Sequence, residues 1–341
     1  MTVNEIAKLA NTSPATVSLA LNNKPGVSPA TRERILKIVS EHGYIPRKKS
    51  TPQSNQLIKL VAVSKPNSSN IHNFRTSFFA EITNYIQRRC SELGYSMLYS
   101  IIPHEDFIRD VLSDESRQLS SGIILIGTYL DEKEVEMTKQ LSVPFIILDR
   151  GSTLTSVNTV NINNYRGAYR AVEELIQSGH REIGYIRSSS LVFNLQERFH
   201  GFSDALERNG LILDKACLFQ CNSYIDNGVD ILKEQLENCN SLPTAFFCEN
   251  DYVAFALISA LNKMGLSTPG DISVIGFDDV PECIMTTPQL TTLHVDRKAL
   301  AYAAVNRLNE ILNTHGSTTQ SIMVDTTLVR RNSVSPVSIT E

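Results

Sequence analysis

Apolar positions recur at helical spacing in three short segments at the start of the chain. Ile6, Leu9 and Ala10 share one face of the first, Val17, Ala20 and Leu21 one face of the second, and Ile35, Ile38 and Val39 one face of the third. The starts are marked as well. Thr2 followed three residues later by Glu5 is a capping-box pattern. Ser13-Pro14 and Ser28-Pro29 each place an N-cap hydroxyl before a proline at the first helical position. Three helices of this size bury a minimal core. The next stretch, "PRKKSTPQSNQ" (46–56), has two prolines, three consecutive basic residues and no apolar side chain, the composition of a linker.

From Leu57 the period changes. Strand-like apolar runs, "LIKLVAV", "SMLYSII", "GIILIG" and "PFIIL", alternate with helical segments at 77–93, 105–118 and 131–140. The cycle then restarts: helices at 164–178, 195–209, 227–238 and 251–264 alternate with "EIGYIR", "CLFQC", "TAFFC" and "ISVIGF". Near-continuous apolar strands between helices imply parallel sheets covered on both faces. About nine strands in two successive groups predict two doubly wound lobes. Such sheets bind ligands beyond the carboxyl ends of their strands, so two facing lobes place a cleft between them.

Charge sharpens this picture. The net charge of −4 excludes a uniformly basic nucleic-acid coat, yet residues 1–59 hold nine Lys/Arg against three Glu, and the remainder holds 23 basic against 33 acidic. A basic head on an acidic body is the footprint of a localised polyanion site. No run of 18 apolar residues predicts a transmembrane helix. "MTVNEIAKLANTS" has neither the basic nor the apolar region of a secretory signal. Six cysteines are scattered in apolar surroundings. Cys217 and Cys221 lie four apart without a CxxC or a nearby His, so reduced, mostly buried thiols in a cytoplasmic protein are expected.

The second helix has the make-up of a DNA reading head. Its outward positions are Pro14, Ala15, Thr16, Ser18, Leu19 and Asn22. Hydroxyls and an amide suit phosphates, and Ala15 and Leu19 suit thymine methyls. A small helical docking domain with a polar surface is the competing reading.

"TVNEIAKLANTSPATVSLALNNKPGVSPATRERILKIVSEHGYIP" closely resembles the head-piece of the lactose-repressor (LacI/GalR) family. "ERFHGFSDALERNGL", "AFFCENDYVAFALISALNKMGLSTPGDISVIGFDD" and "PQLTTLHVD" resemble that family's body motifs, in the same order. The resemblance spans almost the whole chain. It implies a homodimeric, ligand-responsive transcription factor: a three-helix helix-turn-helix head-piece (1–46), a hinge or linker (47–57) and a two-lobed periplasmic-binding-protein-like body (58–341). The first lobe is expected over about 58–160 plus 292–321, and the second over about 161–291 plus 322–341.

Carried over residue by residue, phosphate contacts fall on Thr2, Ser13, Thr16, Ser18, Asn22, Val27, Ser28 and Thr31, and base-reading positions on Pro14, Ala15 and Leu19. Many members have an Arg where this chain has Leu19, which cannot make a bidentate contact to guanine. The family's hinge helix inserts a Leu into the minor groove. This chain has Ser50 at a usual Ala, Gln53 at the usual Leu, and Pro52 just before it. Arg47, Lys48 and Lys49 supply phosphate-seeking charge in the same segment.

In the body, Arg198 stands near the start of a helix, where its planar five-donor head suits hydroxyls or carboxylates; a solvated helix Arg is the alternative. Asn250 follows "AFFCE" at a strand's carboxyl end and could equally cap the next helix. Asp278 follows "ISVIGF", as a hydroxyl acceptor or a turn residue, and neighbouring Asp279 reads as a structural partner. Asp149 follows "PFIIL" by the same carboxyl-end rule. Phe79 corresponds to an aromatic that stacks on ligand in some relatives, and Asn194 and Tyr224 complete the candidate ligand-binding set. These hydroxyl-seeking groups favour a sugar or sugar derivative.

No G-x-S-x-G, P-loop, HExxH or paired-carboxylate pattern is present, so no enzyme, cofactor or metal is expected. A solute-binding protein or a sugar-modifying enzyme with the same body are the alternatives. The first needs a signal peptide and no basic head, and the second a catalytic constellation.

Overall fold

The computed structural model describes residues 3–21, 25–42, 56–64, 76–112, 120–188, 192–221, 227–314 and 318–337. The chain divides into two compact units, one ending at Gln53 and the other beginning at Ser54.

The first unit contains α1 (Val3–Leu9), α2 (Pro14–Leu21) and α3 (Pro29–Glu41). Ser13 Oγ accepts from the Thr16 N–H at 3.1 Å, and Ser28 Oγ from the Thr31 N–H at 3.2 Å, so both Ser-Pro pairs launch helices as their chemistry dictates. Asn11, at φ +45°, makes the tight turn between α1 and α2. Ile6, Ala7, Ala10, Val17, Ala20 and Ile35 form the buried centre, with Leu21, Val27, Ile38 and Val39 packed around it. Arg32 Nη1 donates to the Ala20 carbonyl at 3.0 Å, fastening α3 to the end of α2. Thr2 and its capping role lie outside the described residues, as does the 46–55 part of the linker.

The second unit is built on two six-stranded sheets. The first holds β1 (Leu57–Val63), β2 (Ser96–Ile102), β3 (Gly122–Ile126), β4 (Phe145–Leu148), β5 (Thr159–Ile162) and β11 (Ser321–Val324), in the order β11-β5-β4-β3-β1-β2. The second holds β6 (Ile183–Ser188), β7 (Leu218–Cys221), β8 (Ala245–Cys248), β9 (Ser273–Asp278), β10 (Thr291–Val295) and β12 (Thr326–Val329), in the order β12-β10-β9-β8-β6-β7. Every pairing is parallel except β10 with β12. Between them run α4 (Ser77–Glu92), α5 (Phe107–Leu112), α6 (Glu132–Met137), α7 (Asn164–Gln177), α8 (Phe193–Arg208), α9 (Gly228–Glu237), α10 (Asp251–Lys263) and α11 (Arg297–Asn313). β3 and β8 are buried along their whole length, as strands covered on both faces must be.

Among the described residues, twelve strands replace the roughly nine expected. β5, β10, β11 and β12 are four or five residues long and carry Thr, Ser, Asn or His, so they give no apolar run. The helical segment expected over 105–118 is a 3-10 turn at His104–Asp106 followed by α5; residues 113–119 lie outside the described set.

The chain passes between the lobes three times. The ladders continue to Ile162, Val295 and Val324, so the crossings fall at Asn163, Asp296 and Asp325 rather than near 160, before 292 and after 321. Short polar side chains occupy all three. Asn163 caps α7 by accepting from the Arg166 N–H at 3.3 Å, and Asp296 caps α11 by accepting from the Ala299 N–H at 2.8 Å. Asp325 accepts from Asn163 Nδ2 and Arg166 Nη1, each at 2.8 Å. The crossings are thus bonded to their helix starts and partly to one another.

Candidate functional site

The carboxyl ends of β4, β8 and β9 converge on one face of α8. Asn194 and Arg198 are four residues apart on that helix, so they share a face. Gly201, one turn on, sets how deeply the helix sits: a Cβ there would collide with the Tyr165 carbonyl of α7. The backbone at the strand ends is unusual. Asp149 has φ +60°, Asp278 +116° and Asp279 +55°. Non-glycine residues adopt such angles at a cost of about 1–3 kcal/mol each, and they cluster at binding sites.

Arg198 is buried and bonded through each of its three nitrogens. Nε donates to Asn164 Oδ1 at 2.9 Å, Nη1 to the Glu249 carbonyl, and Nη2 to Asp278 Oδ1 at 3.3 Å. The guanidinium lies over the Phe277 ring, 3.6 Å from its centroid. Three of its five N–H groups are used, which leaves two. The head is held in place by its protein partners, and its burial excludes the solvated alternative.

Asn194 donates to both the carbonyl and Oδ1 of Asp149 at 2.9 Å, and its own Oδ1 accepts from Asn161 Nδ2 at 3.0 Å. Asp149 also accepts from Thr128 Oγ1 at 2.6 Å. Asn161 Oδ1 is buried without a hydrogen-bond partner. Asp251, fully buried at the start of α10, accepts from Thr292 Oγ1 at 2.5 Å and the Val280 N–H at 2.9 Å. It holds the turn after β9 and hence the Asp278 backbone. Gly276 leaves room for this carboxylate, which a Cβ would strike.

Several acids are packed into this region with few cations. Burial pushes the Asp149 carboxyl up to about 6, and the Asp278 charge adds to the effect while Thr128 and Arg198 oppose it. Burial raises Asp278 as well, against the pull of Arg198 and Arg297. Asp251 is pushed up to about 7 by burial and then by Asp278. Glu249 is also raised to about 7 by burial, despite accepting from the Ser188 N–H at 2.5 Å and Tyr185 Oη at 2.9 Å. Asp279 behaves differently. Burial alone would raise it, but His294 at 2.9 Å and Arg331 at 2.6 Å outweigh burial and hold it below the usual carboxylate range.

The structure therefore joins Asp149 to Asn194 and Arg198 to Asp278. Asn250 caps α10, accepting from the Val253 N–H at 2.9 Å. The Phe79 ring is half-buried, meets Phe78 edge-on at 5.2 Å between centroids and lies against the main core. Tyr224 lies outside the described residues. Sequence reading missed Asn161, Asn164, Glu249, Asp251 and Arg297. Glu249 and Asp251 flank Asn250 at the same strand end, and only their burial sets them apart from ordinary cap residues.

In the head unit, Ser13, Pro14, Ala15, Ser18 and Ser28 are exposed, and Thr16, Leu19 and Thr31 are half-buried. Ser13 Oγ and Thr16 Oγ1 lie 2.9 Å apart, and Ser28 Oγ and Thr31 Oγ1 2.8 Å, so each helix start presents a paired hydroxyl. Val27 packs its side chain on the small core. Thr2, Asn22, Arg47, Lys48 and Lys49 lie outside the described residues. Among those described, no group of His, Cys, Asp and Glu could hold a metal ion, and no helix is long and apolar enough to cross a membrane. Among the described residues, no disulfide links any of the six cysteines.

A two-lobed α/β binding body with a three-helix head defines a class that comparison with known proteins makes specific. Residues 2–47 match the family described as bacterial regulatory proteins, lacI family, and residues 172–334 match the periplasmic binding protein-like domain. The chain belongs to the lacI family. It is 26% identical to the HTH-type transcriptional repressor PurR of Mannheimia succiniciproducens over 99% of both chains, and 29% identical to PurR of Vibrio vulnificus over 91% of both. Among solved structures it resembles the transcriptional regulator CelR in complex with cellobiose and the Lac repressor dimer bound to operator and the anti-inducer ONPF. Each has a TM-score of 0.72 and 25% identity, covering 98% of this chain and 99% of the other.

Proposed function

We propose that this protein is a transcriptional repressor that grips operator DNA with residues 1–46 and changes its grip when a small polyhydroxy molecule binds between the lobes of residues 58–341. The observation that carries the effector half is the Arg198–Asp278 pair. It offers spare N–H donors beside a carboxylate acceptor, the complement of adjacent hydroxyls. Asn194 with Asp149, and the unpartnered Asn161 Oδ1, add further polar groups around it. Phe79, Tyr224 and Asn250 complete the set. One relative is described as a cellobiose complex, which favours a sugar.

In the DNA half, Pro14, Ala15 and Leu19 face bases. Ser13, Thr16, Ser18, Ser28 and Thr31, with Thr2, Asn22, the Val27 backbone, Arg47, Lys48 and Lys49, face phosphates. Two copies reading successive major grooves would form the working homodimer, as in the relative described as a dimer on operator. The chain acts in the cytoplasm and turns over no substrate. The effector regulates because it binds the DNA-bound and DNA-free conformations unequally.

Fluorescence anisotropy of the full chain on DNA from upstream of its own gene tests this, over a salt series and with a panel of neutral sugars that includes cellobiose. Salt-sensitive, sequence-preferring binding that one sugar shifts is the expected outcome. Absence of any such DNA binding overturns it.

A further inference from the structure

We propose that Ser77, Tyr252 and Glu282 form a latch between the two lobes that sets their spacing before any effector binds. Ser77 opens α4, which belongs to the first lobe. Tyr252 is on α10, and Glu282 is in the turn after β9, both in the second. The Ser77 hydroxyl lies 3.0 and 3.1 Å from the two oxygens of Glu282 and 3.0 Å from Tyr252 Oη, and Tyr252 Oη lies 3.3 Å from Glu282 Oε1. Two hydroxyl protons and one carboxylate close a triangle. Its only member from the first lobe is Ser77.

The triangle is tied to the cleft through α4. Glu81, one turn after Ser77, accepts from Arg297 Nε at 2.8 Å. The other arms of the same guanidinium donate to the backbone carbonyls of Asp278 at 2.7 Å and Asp279 at 3.2 Å. The Asp278 carboxylate is the partner of Arg198. One helix start of the first lobe therefore reaches the second by two routes: directly through the triangle, and indirectly through Arg297, which stands on the first-lobe side of the crossing at Asp296 and bonds across to the Asp278 and Asp279 carbonyls. None of the three latch residues is among those assigned to the effector. They would shift effector and operator affinity by biasing the lobes, a coupling that needs no contact with either ligand. The inference rests on reading the body as a two-lobed binding unit. Its test needs neither effector nor DNA, so it can fail while that reading stands.

The test is single-molecule FRET on the full chain, with dyes placed through non-natural amino acids at positions 133 (first lobe, α6) and 215 (second lobe, before β7), both exposed. Ser77→Ala should alter the ratio of lobe spacings by about 10-fold, the scale of a hydrogen bond to a charged group. Ser77→Thr, which keeps a hydroxyl, should retain most of the wild-type distribution. Tyr252→Phe should change the ratio in the wild-type background and have a clearly smaller effect beside Ser77→Ala, because part of its hold on the first lobe is the Ser77 hydroxyl. A Ser77→Ala distribution identical to wild type, or a Tyr252→Phe effect of equal size in both backgrounds, overturns the latch.

Discussion

Asn194 clasps Asp149 twice, donating at 2.9 Å to its carbonyl and at 2.9 Å to its carboxylate, so a helix of one lobe closes on a strand end of the other. Four residues along the same helix, Arg198 makes the matching contact within its own lobe, to Asp278. The two pairs are within electrostatic reach, since both Arg198 and Asp278 act on the Asp149 carboxyl.

Arg198→Ala should abolish the effector response and leave operator binding near wild type. It also strands a buried carboxylate, so urea unfolding of the body should show a loss of about 3–5 kcal/mol. Arg198→Lys keeps the charge without the fork and should recover part of the stability but not the response. Equal loss of DNA binding and effector response in a folded variant would remove Arg198 from the cleft.

The raised acids make a pH prediction with a definite sign. Asp149 at about 6, and Glu249 and Asp251 at about 7, hold protons in the folded state that the unfolded chain releases near pH 4. Their contribution is fully present below the unfolded values. It falls as pH rises through the folded ones, by up to about 1.4 kcal/mol per pH unit for each group. Chemical unfolding between pH 4.5 and 7.5 should show Glu249→Gln losing less stability than wild type over this range. Parallel curves would mean that Glu249 titrates normally.

At Ser13, capping and phosphate contact can be separated by charge. Ser13→Asp keeps an N-cap acceptor and should leave the melting of the head unit near wild type, yet a carboxylate facing phosphate should lower DNA affinity at least 10-fold. Ser13→Ala removes the cap and should cost about 1 kcal/mol of stability. Full DNA affinity in Ser13→Asp would place this helix start away from the backbone of the duplex.

Replacing Lys48 and Lys49 with Ala should flatten the dependence of log affinity on log salt by about 0.9 per lost phosphate contact. A salt titration of operator binding measures it, and an unchanged slope would show that the linker does not touch phosphate.

Gly201→Ala would push α8 off α7 at the point where Tyr165 O occupies the space of a side chain. A loss of about 1–3 kcal/mol is expected, together with weaker effector binding, because Asn194 and Arg198 move with the helix. Calorimetry with the effector found by the sugar panel would read both.

Much of this was legible in the chain. "LIKLVAV" and "AFFC" announce covered strands by composition alone, and Ser13-Pro14 and Ser28-Pro29 announce helix starts. β5 was not legible because Thr159 and Asn161 are buried polar residues, so burial there leaves no apolar trace. In the cleft, strand-end position picked out Asp149, Asn250 and Asp278. What it could not show is how the fold spends each side chain: Asn250 on a helix cap, and Arg198 on a partner 80 residues away. Asp251 and Glu249 were hidden for a related reason. A carboxylate at a helix start reads as an exposed cap residue until the layer above it is known.

The three crossings at Asn163, Asp296 and Asp325 carry a consequence for how such a chain can change. Neither lobe is a continuous stretch of sequence, so a single cut cannot release one, and a single exchange of segments between relatives cannot trade one. A lobe acquired from another protein would need its sequence replaced on the proper side of all three crossings at once. Point substitution within an inherited pair of lobes is the easier route to a new effector.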